Sequence, residues 1–205
     1  MKKLLFAALA LFIVNGAVAQ IKVGVKVGEN LSTITDAEYA TGKFGIHVGG
    51  FAEFVLNDRL SIQPELLFSM QGTCFEDIWM YGSEEILISD YSLSYNYINV
   101  PILLKINIVR GLSAEVGTQV GFLLSAKSKY SQTYTSINTT INTTSKNKKG
   151  CNTFDVAAVA GLSYTFAEKF VVSTRYGLGL TNLHKLGGDK SKNSVMSLGV
   201  GFKFN

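Results

Sequence analysis

From residue 60 the chain reads LSIQPELLFSMQG, and taking every second position splits this stretch into two sets. Leu60, Ile62, Pro64, Leu66, Phe68 and Met70 are apolar, whereas Ser61, Gln63, Glu65, Leu67, Ser69 and Gln71 are mostly polar. Successive side chains of a strand point to opposite faces, so this period of two predicts a strand with one apolar and one polar face. The alternation recurs over 21–28, 44–56, 97–107, 112–126, 154–166, 170–180 and 195–204, which gives eight candidate strands and no competing helical period.

The connections alternate as regularly as the side chains. Tight turns are predicted at Asn57-Asp58-Arg59, at 108–111 and at Ala167-Glu168-Lys169, and long loops at 29–43, 72–92, 127–153 and 181–194. An up-and-down sheet then has every long loop at one end and every short turn at the other. With an even strand number, this is the plan of a transmembrane β-barrel. Pro64 and Pro101 have no N–H for a ladder, so a bulge is expected between them. A slip of phase is expected before Tyr97, because Tyr91, Leu93 and Tyr95 are odd-numbered while Ile98, Val100 and Ile102 are even.

Charge decides which face meets lipid. Lys22, Lys26, Glu53, Glu65, Lys105, Glu115, Asp155, Arg175 and Lys203 all fall on the polar phase, and none falls on the apolar phase within a strand core. Phenylalanines on the apolar phase gather near strand ends, as two girdles around an apolar band would require. The polar phase is rich in glycine, which suits the narrow interior of an eight-stranded barrel. These features predict an all-β, eight-stranded antiparallel up-and-down transmembrane barrel whose nine charged residues form a lumen ion-pair network. The competing arrangement is a soluble ligand-carrying barrel with the same two faces exchanged. A chain crossing lipid with strands must close on itself, since only closure satisfies every backbone group.

Residues 1–19 have Lys2 and Lys3, an apolar run and Ala17-Val18-Ala19, the layout of a cleaved export signal, which leaves 20–205 as one barrel domain. The formal net charge is +4, and removing Lys2 and Lys3 leaves +2. So weak an excess gives no reason to expect a nucleic-acid partner. Cys74 and Cys151 both fall toward the long-loop end, and an exported chain permits a disulfide between them. The two histidines, His47 and His184, are the only bases for a rim hydrolase; with no nucleophile motif or metal cluster beside them, no catalytic residue, metal site or cofactor is expected.

The stretches LSIQPELLFSMQG (60–72), YINVPILLKI (97–106), RYGLGLTNL (175–183) and GVGFKF (199–204) resemble the PorT-like outer-membrane β-barrel proteins, often labelled the porin family. The resemblance covers essentially all of 20–205. It implies a bacterial outer-membrane location, with long loops outside, and outer-membrane lipids, periplasmic chaperones and the barrel-assembly machinery as partners. The function expected is non-enzymatic, structural or mediated by the surface loops. Passive transport of small solutes and a part in a secretion machinery are the alternatives.

Overall fold

The computed structural model describes residues 20–35, 40–81, 85–134, 139–146, 150–183 and 191–204, by backbone alone at 76–81, 85–88 and 134. The export signal assigned to 1–19 lies outside the described residues. The strands are β1 (Gln20–Ile34), β2 (Ala40–Val55), β3 (Leu60–Tyr81), β4 (Glu85–Val109), β5 (Leu112–Tyr134), β6 (Thr139–Lys146), β7 (Phe154–Phe166), β8 (Phe170–Gly179) and β9 (Asn193–Lys203). All pairings are antiparallel. Pairing of β4 with β5 and of β1 with β9 closes a ring in the order β1-β2-β3-β4-β5-β7-β8-β9. The eight alternating segments are the eight staves of this ring. The additional strand, β6, pairs with Lys127–Tyr134 of β5, while β7 pairs with Leu112–Phe122 of the same edge.

The apolar phase faces outward, and the soluble arrangement is thereby excluded. Val25, Ile46, Leu66, Ile102, Val116, Leu162, Leu198 and Val200 are exposed, while Lys26, Glu53, Glu65, Lys105, Glu115, Arg175 and Lys203 are buried. At the turn end, Phe166, Phe170, Phe202 and Phe204 form a continuous girdle with ring centroids 5.3–5.8 Å apart. At the loop end, Phe122 and Phe154 pack edge to face at 5.6 Å. Strands β8 and β9, of 10 and 11 residues, have the length a tilted transmembrane strand needs. Strands β3, β4 and β5, of 22, 25 and 23 residues, are about twice as long, so one side of the barrel continues above the bilayer as a sheet.

That sheet corrects the long loops expected at 72–92 and 127–153, most of which is strand. Its sequence, SDYSLSYNY on β4 and SKYSQTY on β5, is rich in β-prone tyrosine and threonine. These segments pair across their whole length, and apart from Leu93, Tyr95 and Tyr97, which pack inward, they are largely polar, so only a weak alternation marks them in the sequence. The expected bulge at the prolines is also absent. Leu60 opposite Ile106 and Leu67 opposite Asn99 share one register, and the ladder merely omits the rungs at Glu65 and Leu66. The expected phase slip lies on the neighbouring strand: Asn96 pairs with Ser125 and Tyr97 with Leu123, which leaves Leu124 of β5 as the extra residue. Tyr95 and Tyr97 both point inward.

At the turn joining β7 to β8, Ala167 and Glu168 have φ of 49° and 60°. Two successive left-handed residues make a primed hairpin turn, which matches strand twist but favours Asn-Gly over residues with a Cβ. The double substitution Ala167→Asn, Glu168→Gly is expected to stabilise the barrel by about 1 kcal/mol. A higher urea midpoint in refolding titrations checks it, and an unchanged midpoint would mean the turn carries no strain.

Candidate functional site

The barrel interior gathers side chains from strands far apart in sequence. Arg175 on β8 is its centre: Nη1 and Nη2 donate to Glu65 Oε2 and Oε1 of β3 at 2.7 and 2.8 Å, and Nε donates to Glu115 Oε2 of β5 at 2.6 Å. The planar guanidinium fork serves two carboxylates at once, which a lysine ammonium cannot do with the same geometry. From Glu115 the network passes to Lys105 of β4 (4.0 Å), then Glu53 of β2 (3.5 Å) and Lys203 of β9 (2.7 Å). From Glu65 it passes to Lys26 of β1 at 3.7 Å. Gln63 donates to Glu65 at 2.6 Å, and Ser61 donates to Glu53 at 2.9 Å.

Seven charged residues from seven strands thus form one chain of alternating sign. The remaining stave, β7, contributes Gly161 opposite Arg175, where the absence of a side chain leaves room for the guanidinium stem. Two of the nine residues expected in the network stand apart. Lys22 lines the open vestibule of about 1000 Å³ at the turn end, and Asp155 accepts a hydrogen bond from Thr181 nearer the loops.

Above the ionic layer lies a neutral polar one. Asn30 Nδ2 donates to Ser69 Oγ (2.9 Å) and to the Met70 carbonyl (3.1 Å), so its Oδ1 faces His47 Nδ1, 2.9 Å away, as an acceptor. His47 Nδ1–H is therefore the donor. Gln71 donates to Ser69 at 3.0 Å and accepts from Asn193. These groups border a cavity of about 50 Å³, room for a very few waters. Above this layer, Ile34, Tyr95, Tyr97, Leu123, Ala126, Cys151 and Leu183 make an apolar cap under the extracellular sheet. The interior therefore changes from ionic to neutral to apolar toward the outside.

The candidate disulfide between Cys74 and Cys151 is not formed in this structure. Cys74 follows the fully buried Thr73 and points to the outer face, with Sγ 3.7 Å from Ser92 Oγ, whereas Cys151 packs inside the cap. The wall of the barrel separates the two thiols. His184 lies outside the described residues. Among the described residues, no group of three His, Cys, Asp or Glu side chains is placed to hold a metal ion.

Sequence reasoning missed the neutral layer and the cap. The parity from Leu93 through Tyr95, Tyr97, Asn99, Pro101 and Leu103 to Lys105 is unbroken, and this was the available signal. The inward face keeps its phase and changes only its chemistry.

The family model described as the outer membrane protein β-barrel domain matches residues 16–185. Neisserial surface protein A is 12% identical, with a TM-score of 0.51, over 89% of this chain and 97% of that one. Ail, the attachment invasion locus protein of Yersinia pestis, is 16% identical with a TM-score of 0.45 over 89% and 98%. CarO2 of Acinetobacter baumannii is 12% identical with a TM-score of 0.43 over 88% and 99%. No curated protein matches the chain.

Proposed function

Since the chain belongs to the family of outer membrane protein β-barrel domains and is a small barrel of the bacterial outer membrane, we propose that it is a closed, non-enzymatic barrel that acts through the sheet raised above the bilayer. The observation that carries this reading is the state of its interior. Lys105, Glu65, Glu115 and Leu103 are at most 3% exposed, so water does not reach the middle of the lumen. An open pore would leave such charges hydrated. A residue acting as a rim base would have to reach substrate, yet His47 is buried among Gly28, Asn30 and Gly199.

Within the family we assign the chain to the PorT-like group on the stretches 60–72, 97–106, 175–183 and 199–204. That affiliation supports one second reading, a component of a secretion machinery, which a deletion strain with undiminished protein secretion would oppose. We assign periplasmic chaperones and the barrel-assembly machinery as biogenesis partners.

Reconstituted in planar bilayers, the protein is expected to give no discrete conductance steps above the lipid baseline. Regular, reproducible steps from heat-modifiable, folded protein would overturn the closed-barrel reading in favour of solute transport.

A further inference from the structure

Beyond the upper girdle, the register lines up the outward face of the raised sheet in rows. Ser94 of β4 stands opposite Gly72 and Lys127, and Lys127 stands opposite Lys146 of β6. The next row holds Cys74, Ser92, Lys129 and Thr144. Lys43 of β2 reaches the same place: its Nζ donates to Ser92 Oγ (2.5 Å), Ser94 Oγ (2.6 Å) and the Leu93 carbonyl (3.1 Å). Both rows face away from the interior, because Leu93 between the two serines and Ala126 beside Lys127 pack into the cap. Four ammonium groups therefore share one outward patch.

Three features of this patch point to an anion. Lys127 and Lys146 are directly opposite across β5 and β6, an arrangement of like charges that is destabilising on its own. Among the described residues, none of Lys127, Lys129 and Lys146 has a carboxylate within ion-pair distance. Lys43 Nζ donates to Ser92 Oγ, Ser94 Oγ and the Leu93 carbonyl, so each serine oxygen already accepts from a cation and its own O–H remains a donor for an anion.

Height selects the kind of anion. Leu124 is the last exposed apolar residue of β5 before the patch, and Lys127 follows three residues later. At about 3.4 Å per residue and a tilt of about 40°, that is roughly 8 Å above the apolar band. Roughly 5–8 Å of headgroup region covers each side of a bilayer core. The patch is therefore level with lipid phosphates, and clustered ammonium and hydroxyl donors suit a phosphate.

We propose that Lys127, Lys129 and Lys146, with Ser92, Ser94 and Thr144 and with Lys43 orienting the two serines, bind the phosphate groups of an anionic outer-leaflet lipid. The site fixes the barrel's height and the tilt of its raised sheet.

The test uses folded full-length mature protein in phosphatidylcholine nanodiscs carrying bisphosphorylated lipid A, with lipid retained per barrel counted after detergent extraction. A juxtamembrane lysine contributes about fivefold to binding an anionic surface, so Lys127→Gln/Lys129→Gln/Lys146→Gln is expected to lower retention on the order of a hundredfold. The single Lys129→Gln is expected to lower it about fivefold, and Lys169→Gln, at the opposite end, is expected to leave it unchanged. Equal retention by the triple variant, or equal retention of dephosphorylated lipid, would overturn the site. A loss as large for Lys169→Gln would reduce it to bulk charge, and displacement of lipid by an equimolar amount of inorganic phosphate would reassign it to the free anion.

Discussion

Replacing Arg175 with alanine is expected to lower the unfolding free energy of the barrel by about 3–5 kcal/mol, the cost of breaking a buried ion pair from one side. Glu65 and Glu115 would both lose their closest cationic partner. Glu65 would keep Lys26 at 3.7 Å and Gln63 at 2.6 Å, whereas the nearest cation left to Glu115 would be Lys105 at 4.0 Å. Arg175→Lys restores charge without the fork and is expected to fall between alanine and wild type. The cost belongs to stranded charges rather than to lost attraction, so removing the whole branch, Glu65→Gln/Glu115→Gln/Arg175→Met together with Lys26→Met, whose carboxylate partner is Glu65, is expected to recover most of the stability. Urea titrations of refolding, read by heat-dependent electrophoretic mobility, measure all of these variants. An Arg175→Ala barrel as stable as wild type would mean that water enters the lumen and screens the carboxylates. Its planar-bilayer conductance would then rise.

The same chemistry explains what the sequence allowed to be read. A barrel wall has two faces with opposite solvents, so a charged residue on a strand is itself a statement about which way that strand faces. Lys26, Glu53, Glu65, Lys105, Glu115, Arg175 and Lys203 could therefore be assigned to one interior before any pairing was known. Which cation meets which carboxylate was not legible, because Arg175 and Glu65 are 110 residues apart and meet only across the closed ring. Strand shear decides that Arg175 takes two carboxylates while Lys22 drops into the vestibule. Asp155 was legible as inward but not as a partner of Thr181, since Thr181 lies beyond the end of β8. The raised sheet was illegible for a different reason. Beyond the cap residues Leu93 and Ala126, nothing forces its side chains to alternate in polarity, and its order comes from backbone ladders that the sequence does not display. The prolines misled through local logic: Pro101 is tolerated without a bulge because its side chain fills the lumen and the lost rungs are few.

Gly28→Val is expected to abolish the folded, heat-modifiable barrel. Gly28 of β1 is paired on one side with His47 of β2 and on the other with Gly199 of β9. A Cβ at Gly28 would lie 2.5 Å from His47 Cε1 and 2.6 Å from Gly199 Cα, and nearer still to the Leu198 carbonyl oxygen. The imidazole of His47 occupies the space that both glycines leave, since a Cβ at Gly199 would come within 3.0 Å of Nε2. Phe51 does the same one step lower, over Gly24 and Gly201. Two rings on β2 thus cover bare backbone on β1 and β9, a cross-strand use of aromatic side chains to compensate glycine. Overpacking a core by a few methylenes costs about 1–3 kcal/mol when side chains can move aside. Here the obstruction is largely the backbone of β9, and moving it breaks the β1–β9 ladder that closes the ring. This distinguishes two accounts of the same loss. If His47 alone were in the way, His47→Ala would rescue Gly28→Val; with Leu198 O and Gly199 Cα fixed, the double variant is expected to remain unfolded by the same electrophoretic assay. Recovery of the heat-dependent shift in the double variant would place the constraint in the ring of His47 and leave β9 free to yield.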